Sequence, residues 1–369
     1  MKSIIIFGYS DIGKRLYDYL IDFDANIEIK FCDNSTKKQE ENQNVVSVSE
    51  AVRDSNEDTV YYIASIYHDK QMKEQLLSLG VLDKQIMCEL PKEIVDFIHE
   101  KEYNQRLTPL KRLRFETAIV RHCNLKCKGC DHFSPVAEKR FMSTEVYEKD
   151  VKRLSELFHH DAEYITLLGG EPLLHPDIVK FIVISRMYFP DTMLQIATNG
   201  LLLKNMSEAF WEACRKYKVE IMVTKYPINL DYLELGKFVE AQNVKYKYLG
   251  SSEGGRTLWH FPLDLDGKQK PMDSFTRCRN ANSCHTLDNG RLYTCSIAPN
   301  IDDFNKYFDK NIQLMDADGV DIHAEGMSGE YILKRLAAPM PFCRYCDVDH
   351  RTYDHDWEQS TMNIKEWTL

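Results

Sequence analysis

The chain has 369 residues, of which 43% are hydrophobic and 28% charged, as expected for a globular protein with two or three domains. Its net charge of -10 and the lack of any Lys/Arg run longer than a pair argue against nucleic acid as a partner, because such surfaces need a basic stripe. The apolar run at 4–7 is too short for a signal peptide, and no later run is long enough to span a membrane. We therefore expect a cytoplasmic protein with no membrane partner.

Residues 1–92 have the pattern of a small α/β domain, with strands predicted at 3–7, 27–31 and 60–65 and a helix at 71–79. The first turn carries Gly8, Ser10 and Gly13, which depart from the dinucleotide-binding fingerprint at its middle glycine. Asp33 follows the second strand at about the distance expected of a ribose-binding acid.

This first domain resembles the Rossmann-like domains attached to bacterial polysaccharide-modifying enzymes, some of which bind nucleotide sugars. A docking or oligomerisation module that has the fold without the ligand is the alternative. A charged, helix-compatible connector follows at 93–112.

Strands and helices alternate regularly across residues 113–269. Strands are predicted at 115–120, 164–168, 194–197, 219–223 and 244–248, with a helix between each pair. Such a repeat predicts a parallel sheet with helices outside and functional sites at the carboxyl ends of the strands. The predicted fold class is therefore α/β, with a partial (β/α)6 barrel as its main element.

Three cysteines share one polar loop directly after the first of these strands. Cys123, Cys127 and Cys130 can bind three irons of a cubane 4Fe-4S cluster and leave the fourth iron open. Zinc would need a fourth ligand close by, and three buried structural thiols would not share one Lys/Asn/Gly loop.

A second motif ends the next predicted strand. It consists of Gly169, Gly170, Glu171 and Pro172, in which bare glycine backbone lets a small molecule approach and meet one carboxylate. Together the two motifs resemble those of the radical S-adenosylmethionine (radical SAM) superfamily.

This resemblance implies that the open iron chelates the methionine moiety of S-adenosylmethionine and that the Gly-Gly-Glu-Pro loop helps to hold its amino group. Reductive cleavage then yields a 5′-deoxyadenosyl radical, with an electron donor such as flavodoxin or ferredoxin. The resemblance further implies that Thr198 and Asn199 meet the ribose or the methionine carboxylate, a simple turn being the alternative. Thr224, at the end of the next strand, offers the cofactor another hydroxyl.

One position departs from the superfamily pattern. Gly129 stands before the third cysteine, where the superfamily usually has an aromatic residue near adenine. We therefore expect His132 or Phe133 to contact the adenine instead.

Residues 270–369 are rich in cysteine. A hairpin turn at 288–290 can bring Cys278 and Cys295 to one end of a small sheet, and Cys343 and Cys346 supply two further ligands. The pattern resembles the twitch domain, which holds one auxiliary 4Fe-4S cluster through four cysteines. A structural zinc site is the alternative that spacing alone leaves open.

The remaining cysteines are not predicted to bind metal. Cys284 is expected to be a partly buried thiol, and Cys32, Cys88 and Cys214 lie in apolar contexts typical of a core.

The combination predicts a radical SAM oxidoreductase that abstracts hydrogen from a small molecule: a sugar, a polyol or a nucleotide sugar, in polysaccharide or glycan biosynthesis. Modification of a peptide or protein is the alternative, and a non-catalytic iron-sulfur or zinc protein is a third reading. A catalytic base is not chosen by the sequence, whose candidates are Lys225, Tyr226, Asp347, Asp349, His350 and Arg351.

Overall fold

The structure is a computed structural model that describes residues 3–23, 27–65, 69–249, 258–260, 262–283, 285–355 and 357–368. The chain divides into two units, Met1–Glu102 and Tyr103–Leu369. Cys284 lies outside the described residues.

The first unit is built on a parallel sheet of five strands in the order β3-β2-β1-β4-β5. Its strands are β1 (Ser3–Phe7), β2 (Glu28–Cys32), β3 (Val45–Val46), β4 (Val60–Ile63) and β5 (Ile86–Met87). Its helices are α1 (Asp11–Phe23), α2 (Thr36–Glu41), α3 (Val48–Arg53) and α4 (Asp69–Ser78), followed by α5 (Lys92–Leu107), which runs into the second unit. Ile5 and Phe7 pack into one core and Ile4 and Ile6 into another, because both faces of the sheet are covered.

The predicted glycine turn follows β1. Gly8 has a φ of 114°, and a Cβ at Gly13 would overlap the Gly8 carbonyl oxygen, so both positions require glycine. The Asp33 carboxylate accepts the Tyr9 N–H at 2.7 Å and lies 2.7 Å from the Lys38 Nζ. Asp33, the expected ribose-binding acid, thus already binds groups of its own chain.

The second unit contains an eight-stranded sheet in the order β10-β9-β8-β7-β6-β12-β13-β14. Its strands are β6 (Leu113–Val120), β7 (Ala162–Gly169), β8 (Met193–Thr198), β9 (Glu220–Thr224), β10 (Lys245–Leu249), β12 (Thr286–Asp288), β13 (Arg291–Tyr293) and β14 (Val320–Asp321). A separate antiparallel pair joins β11 (Leu258–His260) to β15 (Thr352–His355). The helices are α6 (Thr144–Leu157), α7 (Ile178–Tyr188), α8 (Glu208–Lys216), α9 (Tyr232–Ala241), α10 (Pro271–Thr276), α11 (Ile297–Phe308) and α12 (Gly329–Leu336).

Strands β6 to β10 are parallel neighbours, and β12 joins the β6 edge in parallel. The predicted α/β class with a parallel, barrel-type sheet is confirmed, and among the described residues no strand pairing closes that sheet into a full barrel. Helix α6 shows why the helices could be predicted from the sequence. The Ser143 hydroxyl accepts two backbone N–H groups at its start, and Tyr147, Val151 and Leu154 are buried on one face.

The predicted hairpin is formed by β12 and β13. Asn289 and Gly290 have φ values of 45° and 77°, as a two-residue turn with the right-handed twist requires. The Gly290 N–H donates to the Asp150 carboxylate of α6 at 2.7 Å. Because β12 also pairs with β6, the hairpin extends the main sheet, which the sequence did not indicate.

Among the described residues, no helix combines the length and the apolar character that crossing a bilayer requires.

Candidate cofactor and cluster sites

The glycine motif packs directly against the strand end that leads into the cysteine loop. The Gly170 N–H donates to the Val120 carbonyl at 2.7 Å, and the Glu171 N–H donates to the His122 carbonyl at 3.1 Å. A Cβ at Gly169 would overlap the Val120 oxygen, and one at Gly170 would overlap the His122 oxygen. The motif needs its glycines because two backbones meet here, and this contact fixes where the cysteine loop begins.

Three predicted cluster ligands line one cavity of about 690 Å³ at the carboxyl ends of the parallel strands. Cys123 and Cys130 are partly exposed and Cys127 is buried. The Cys123 sulfur accepts the Leu125 N–H at 3.3 Å, and burial raises the pKa of the Cys123 thiol. Three soft sulfur donors on one wall, facing open space, suit a cluster that keeps one position for an exchangeable ligand.

The two residues expected to contact adenine, His132 and Phe133, are placed differently. Phe133 is 1% exposed and packs against Phe304 and Trp367, with ring centroids 5.3 and 6.1 Å away. The expectation that Phe133 contacts adenine is wrong, because its ring belongs to the core beside the cavity. His132 lines the cavity. Its Nδ1 lies 3.2 Å from the carboxylate of Asp131.

Glu171 of the glycine motif turns its carboxylate away from the cavity. Its oxygens accept the Thr198 hydroxyl at 2.6 Å, the Asn199 N–H at 2.9 Å and the Leu173 N–H at 3.1 Å. The side chain is 0% exposed, and this burial raises its pKa to about 7. Glu171 therefore braces the loop after β7 against the turn after β8, and Pro172 is buried beside it.

The turn after β8 reaches the cysteine loop. Thr198 and Asn199 line the cavity, and the Asn199 Nδ2 donates to the Asn124 Oδ1 at 2.8 Å and lies 3.7 Å from the Cys123 sulfur. Thr224, at the end of β9, also lines the cavity. The predicted cofactor-binding residues thus gather at one mouth, with Glu171 and Pro172 supporting them from behind.

The four predicted auxiliary ligands surround a second, much smaller cavity of about 20 Å³. Cys278, Cys295, Cys343 and Cys346 all lie on its wall. Burial raises the pKa of Cys343 to about 12 and also raises those of Cys295 and Cys346, and the neighbouring thiols raise all three further. The four thiols thus oppose one another's ionisation. A soft metal ion or an iron-sulfur cluster would offset this repulsion between thiolates, so the four sulfurs suit such a centre.

Three polar residues that bond to one another, Asn280, Asp131 and Ser296, line the large cavity. Asn280 also lines the small cavity. The Asp131 carboxylate accepts the Ser296 hydroxyl at 3.2 Å and the Asn280 amide at 3.5 Å. Because Asp131 follows Cys130 and Ser296 follows Cys295, these bonds join the two cysteine sets.

Residues 357–368, which we term the strap, were not assigned to the site by the sequence. The Lys128 N–H donates to the Glu358 carbonyl and the Ser360 N–H to the Lys126 carbonyl, each at 3.0 Å. The buried Trp367 donates its indole N–H to the Cys130 carbonyl at 2.8 Å. The strap therefore holds the cysteine loop at three backbone positions.

One sequence signal for the strap exists in retrospect. Asn363 and Glu366 form a capping box, and the Glu366 carboxylate also accepts the Ser360 and Thr361 hydroxyls. This signal predicts an ordered turn. It does not predict what the turn packs against.

The six candidates for a base are placed differently. Tyr226 lines the large cavity and Asp347 the small one. The Asp347 carboxylate accepts two backbone N–H groups and lies 2.9 Å from the His350 Nδ1. Lys225 lies over the Tyr248 ring. The Arg277 guanidinium donates to the Asp349 carboxylate, and the Arg351 guanidinium donates to the Arg277 carbonyl. Both bonds connect parts of the cysteine-rich residues 270–369.

The cysteines predicted to be structural behave as such. Cys32 and Cys214 are buried in cores, where burial raises the pKa of each thiol to about 12, and Cys88 packs at the edge of a core in the first unit.

Comparisons with known proteins bear on part of the chain. Residues 117–234 match the family model described as the Radical SAM superfamily. A "Probable GTP 3',8-cyclase" of Pyrococcus abyssi is 33% identical over 105 residues, 28% of this chain and 32% of the relative. The "GTP 3',8-cyclase" of Aquifex aeolicus is 32% identical over 127 residues, 33% of this chain and 37% of the relative. This chain thus spans about a third of the length of these relatives.

Among solved structures, BtrN "in complex with AdoMet and 2-DOIA" is similar with a TM-score of 0.41 and 19% identity, covering 63% of this chain and 85% of that chain. The family to which residues 117–234 match uses a 4Fe-4S cluster and S-adenosylmethionine, and the three thiols beside the glycine loop fit both. The predicted resemblance to the radical SAM superfamily is thus confirmed for residues 117–234, which match its family model.

Proposed function

We propose that this protein is a radical SAM oxidoreductase in which Cys123, Cys127 and Cys130 hold the catalytic 4Fe-4S cluster. The observation that carries the proposal is the meeting of these thiols with Gly169 and Gly170 on the wall of one large cavity. When bound there, the cluster and S-adenosylmethionine supply, on one-electron reduction by a flavodoxin or ferredoxin, a 5′-deoxyadenosyl radical.

The chain's own residues have defined tasks in this scheme. The backbone of Gly169 and Gly170 offers a small-molecule surface with no side chain in the way, and Thr198 and Thr224 line the same space. Asn199 orients the cysteine loop through its bond to Asn124. These contacts would hold the reacting groups in one geometry, while the cofactor carries the radical chemistry itself.

We further propose that Cys278, Cys295, Cys343 and Cys346 bind a second 4Fe-4S cluster, as in a twitch domain. Ligated by four thiolates, such a cluster would supply a one-electron acceptor with no iron open to substrate. The overall reaction that suits this pair of sites is a two-electron oxidation of an alcohol to a ketone. A hydrogen atom would leave the substrate carbon to form 5′-deoxyadenosine, and the remaining substrate radical would then pass one electron to the second cluster and its hydroxyl proton to solvent.

The substrate is proposed to be a sugar, a polyol or a nucleotide sugar. The Rossmann-like order of the first unit supports a nucleotide-bearing molecule, and the apolar and polar lining of the large cavity supports a small one. A nucleotide is the second candidate, favoured by the names of the GTP cyclase relatives. The domain limits 1–92, 93–112, 113–269 and 270–369 are part of this proposal.

The test is deoxyadenosine formation after anaerobic reconstitution with iron and sulfide. Exchange of Cys123, Cys127 and Cys130 for alanine should abolish reductive cleavage of S-adenosylmethionine. Cys88→Ala is the matched control, because Cys88 is partly buried in the first unit, and it should retain the wild-type rate. A triple variant that still forms deoxyadenosine would show that the proposal is wrong.

A further inference from the structure

A layer of polar side chains crosses the large cavity inside the parallel sheet. We term it the polar layer; its members are Glu116, Thr166, Gln195, Glu220 and Lys247, one from each of β6, β7, β8, β9 and β10. Glu116 lies opposite Thr166, Thr166 opposite Gln195 and Gln195 opposite Glu220 in the strand register. All but Glu220 line the cavity.

Hydrogen bonds connect these side chains across the strands. The Thr166 hydroxyl donates to the Gln195 Oε1 at 3.3 Å, and the Gln195 Nε2 donates to the Glu220 Oε2 at 2.9 Å. The Lys247 Nζ lies 2.6 Å from the same Glu220 oxygen. Burial alone would raise the pKa of Glu220, but the bonds from Lys247 and Gln195 hold it below the ordinary value, so this residue is a carboxylate at neutral pH.

The polar layer lies below the cofactor residues, with apolar side chains between them. Two positions further along β7, β8 and β9 than the polar layer, the cavity is lined by Leu168, Ala197 and Met222. Gly169 stands three positions after Thr166 along β7, a rise of about 10 Å. From top to bottom the cavity therefore presents the cysteine and glycine loops, an apolar band and the polar layer.

A polar layer facing a cavity is costly to leave unsatisfied, because each group needs hydrogen-bond partners from water or from a ligand. Lys247 uses one of its three N–H donors within the layer, and Gln195 and Thr166 each retain acceptor capacity. The polar layer contains two carboxylates, those of Glu116 and Glu220, and one ammonium group, that of Lys247. Its net negative charge would repel a phosphate or carboxylate group of a ligand. Hydroxyl groups, which both donate and accept, match this set.

We propose that the polar layer binds the hydroxyl groups of an uncharged polyhydroxylated substrate and directs its C–H bonds towards the apolar band and the cofactor. Tyr164, on the amino-end side of Thr166 in β7, also lines the cavity. The inference rests on the proposed function and narrows it: the part of the substrate that reacts is a neutral polyol, and any phosphate of the substrate lies outside the polar layer.

The test compares neutral and anionic probes on the reconstituted full-length protein. The neutral probes are D-glucose, N-acetyl-D-glucosamine and myo-inositol, and the anionic ones are D-glucose 6-phosphate and D-glucuronate. Binding is measured by anaerobic calorimetry with S-adenosylmethionine present, and deoxyadenosine formation is measured in parallel. We expect at least one neutral probe to bind and to accelerate deoxyadenosine formation several-fold, and its anionic counterpart to do neither.

Two variants locate the effect. Glu220 does not line the cavity but holds Lys247 and Gln195 in place, so Glu220→Gln should raise the KM for the neutral probe about tenfold or more, with a smaller change in kcat. Thr166→Val removes a hydroxyl at nearly constant volume and should have a smaller effect in the same direction. The matched control is Glu234→Gln, because Glu234 pairs with Lys204 at 2.8 Å on the surface and should leave KM unchanged.

The outcomes separate this inference from the proposed function. If the wild-type protein forms deoxyadenosine but no neutral probe binds, the polar-layer proposal is wrong and the radical SAM proposal stands. If no deoxyadenosine forms, the proposed function fails, while calorimetry still decides whether the layer binds polyols. Equal affinities in wild type, Glu220→Gln and Thr166→Val, with unchanged melting temperatures, would also overturn the inference.

Discussion

The two cysteine sets of the second unit differ in how much space their thiols face. Cys123, Cys127 and Cys130 line a cavity of about 690 Å³, whereas the other four cysteines enclose about 20 Å³. A metal centre that exchanges a ligand needs room at an open coordination position, and a centre saturated by protein needs none. Under our proposal the first set is therefore an open site, which exchanges a ligand, and the second is a closed site, and the surrounding packing makes the difference.

The largest expected effect comes from emptying the closed site. Exchange of Cys343 and Cys346 for alanine should lower iron by about four per chain, by the stoichiometry of a cubane, while part of the substrate-independent cleavage of S-adenosylmethionine remains. Turnover of substrate should stop. The measurement is iron and sulfide per chain together with deoxyadenosine, with Cys88→Ala as the control. Wild-type protein that carries one zinc and about four irons would contradict the cluster assignment and favour the zinc alternative.

The open site is tested through its supporting backbone. Gly170→Ala would force a Cβ into the His122 carbonyl, so we expect a loss of several kcal/mol or a displaced cysteine loop, comparable to severe core mutations. The measurements are thermal unfolding of the apoprotein and iron bound after reconstitution. Gly80→Ala is the control, because Gly80 has a φ of 92° but nothing within 4 Å of an added Cβ. It should cost about 1 kcal/mol from backbone strain alone. Equal effects at both positions would show that the close approach does not matter.

The buried carboxyl behind the open site predicts a pH dependence. Burial raises the pKa of Glu171 from 4.5 to about 7, so the folded apoprotein binds a proton that the unfolded chain releases between these values. Its stabilising contribution is complete below pH 4.5 and is lost as pH rises through about 7. The loss amounts to about 3 kcal/mol at most. Chemical unfolding of apoprotein at several pH values should show this decline in wild type relative to Glu171→Gln, and parallel curves would refute it.

The smallest expected effect concerns the strap. Trp367→Phe keeps the ring but removes the N–H that donates to the Cys130 carbonyl, so we expect a loss of about 1 kcal/mol and weaker retention of iron in the open site. Trp357→Phe is the matched control, because the buried Trp357 Nε1 has no hydrogen-bond partner among the described residues. It should be neutral or slightly stabilising. If the two variants retain iron equally during dialysis against a chelator, the strap does not support the cluster loop.

Local chemistry by itself determined much of this protein. The strand positions, the α6 cap at Ser143 and the Asn289-Gly290 turn follow from periodicity and backbone preferences, which act over a few residues. The spacing of Cys123, Cys127 and Cys130 was sufficient to indicate a cluster, because ligand spacing on one loop is also a local property.

Only the tertiary structure decided how these local elements meet. Phe133 is buried because Trp367, more than two hundred residues later, packs beside it, and the strap holds the cysteine loop through backbone atoms that are the same in every residue. Glu171 faces the turn after β8 because two donors there, the Thr198 hydroxyl and the Asn199 N–H, converge on its carboxylate. The polar layer arises from strand register, which aligns side chains from separate strands. Such contacts depend on distance in space, and no pattern along the chain records them.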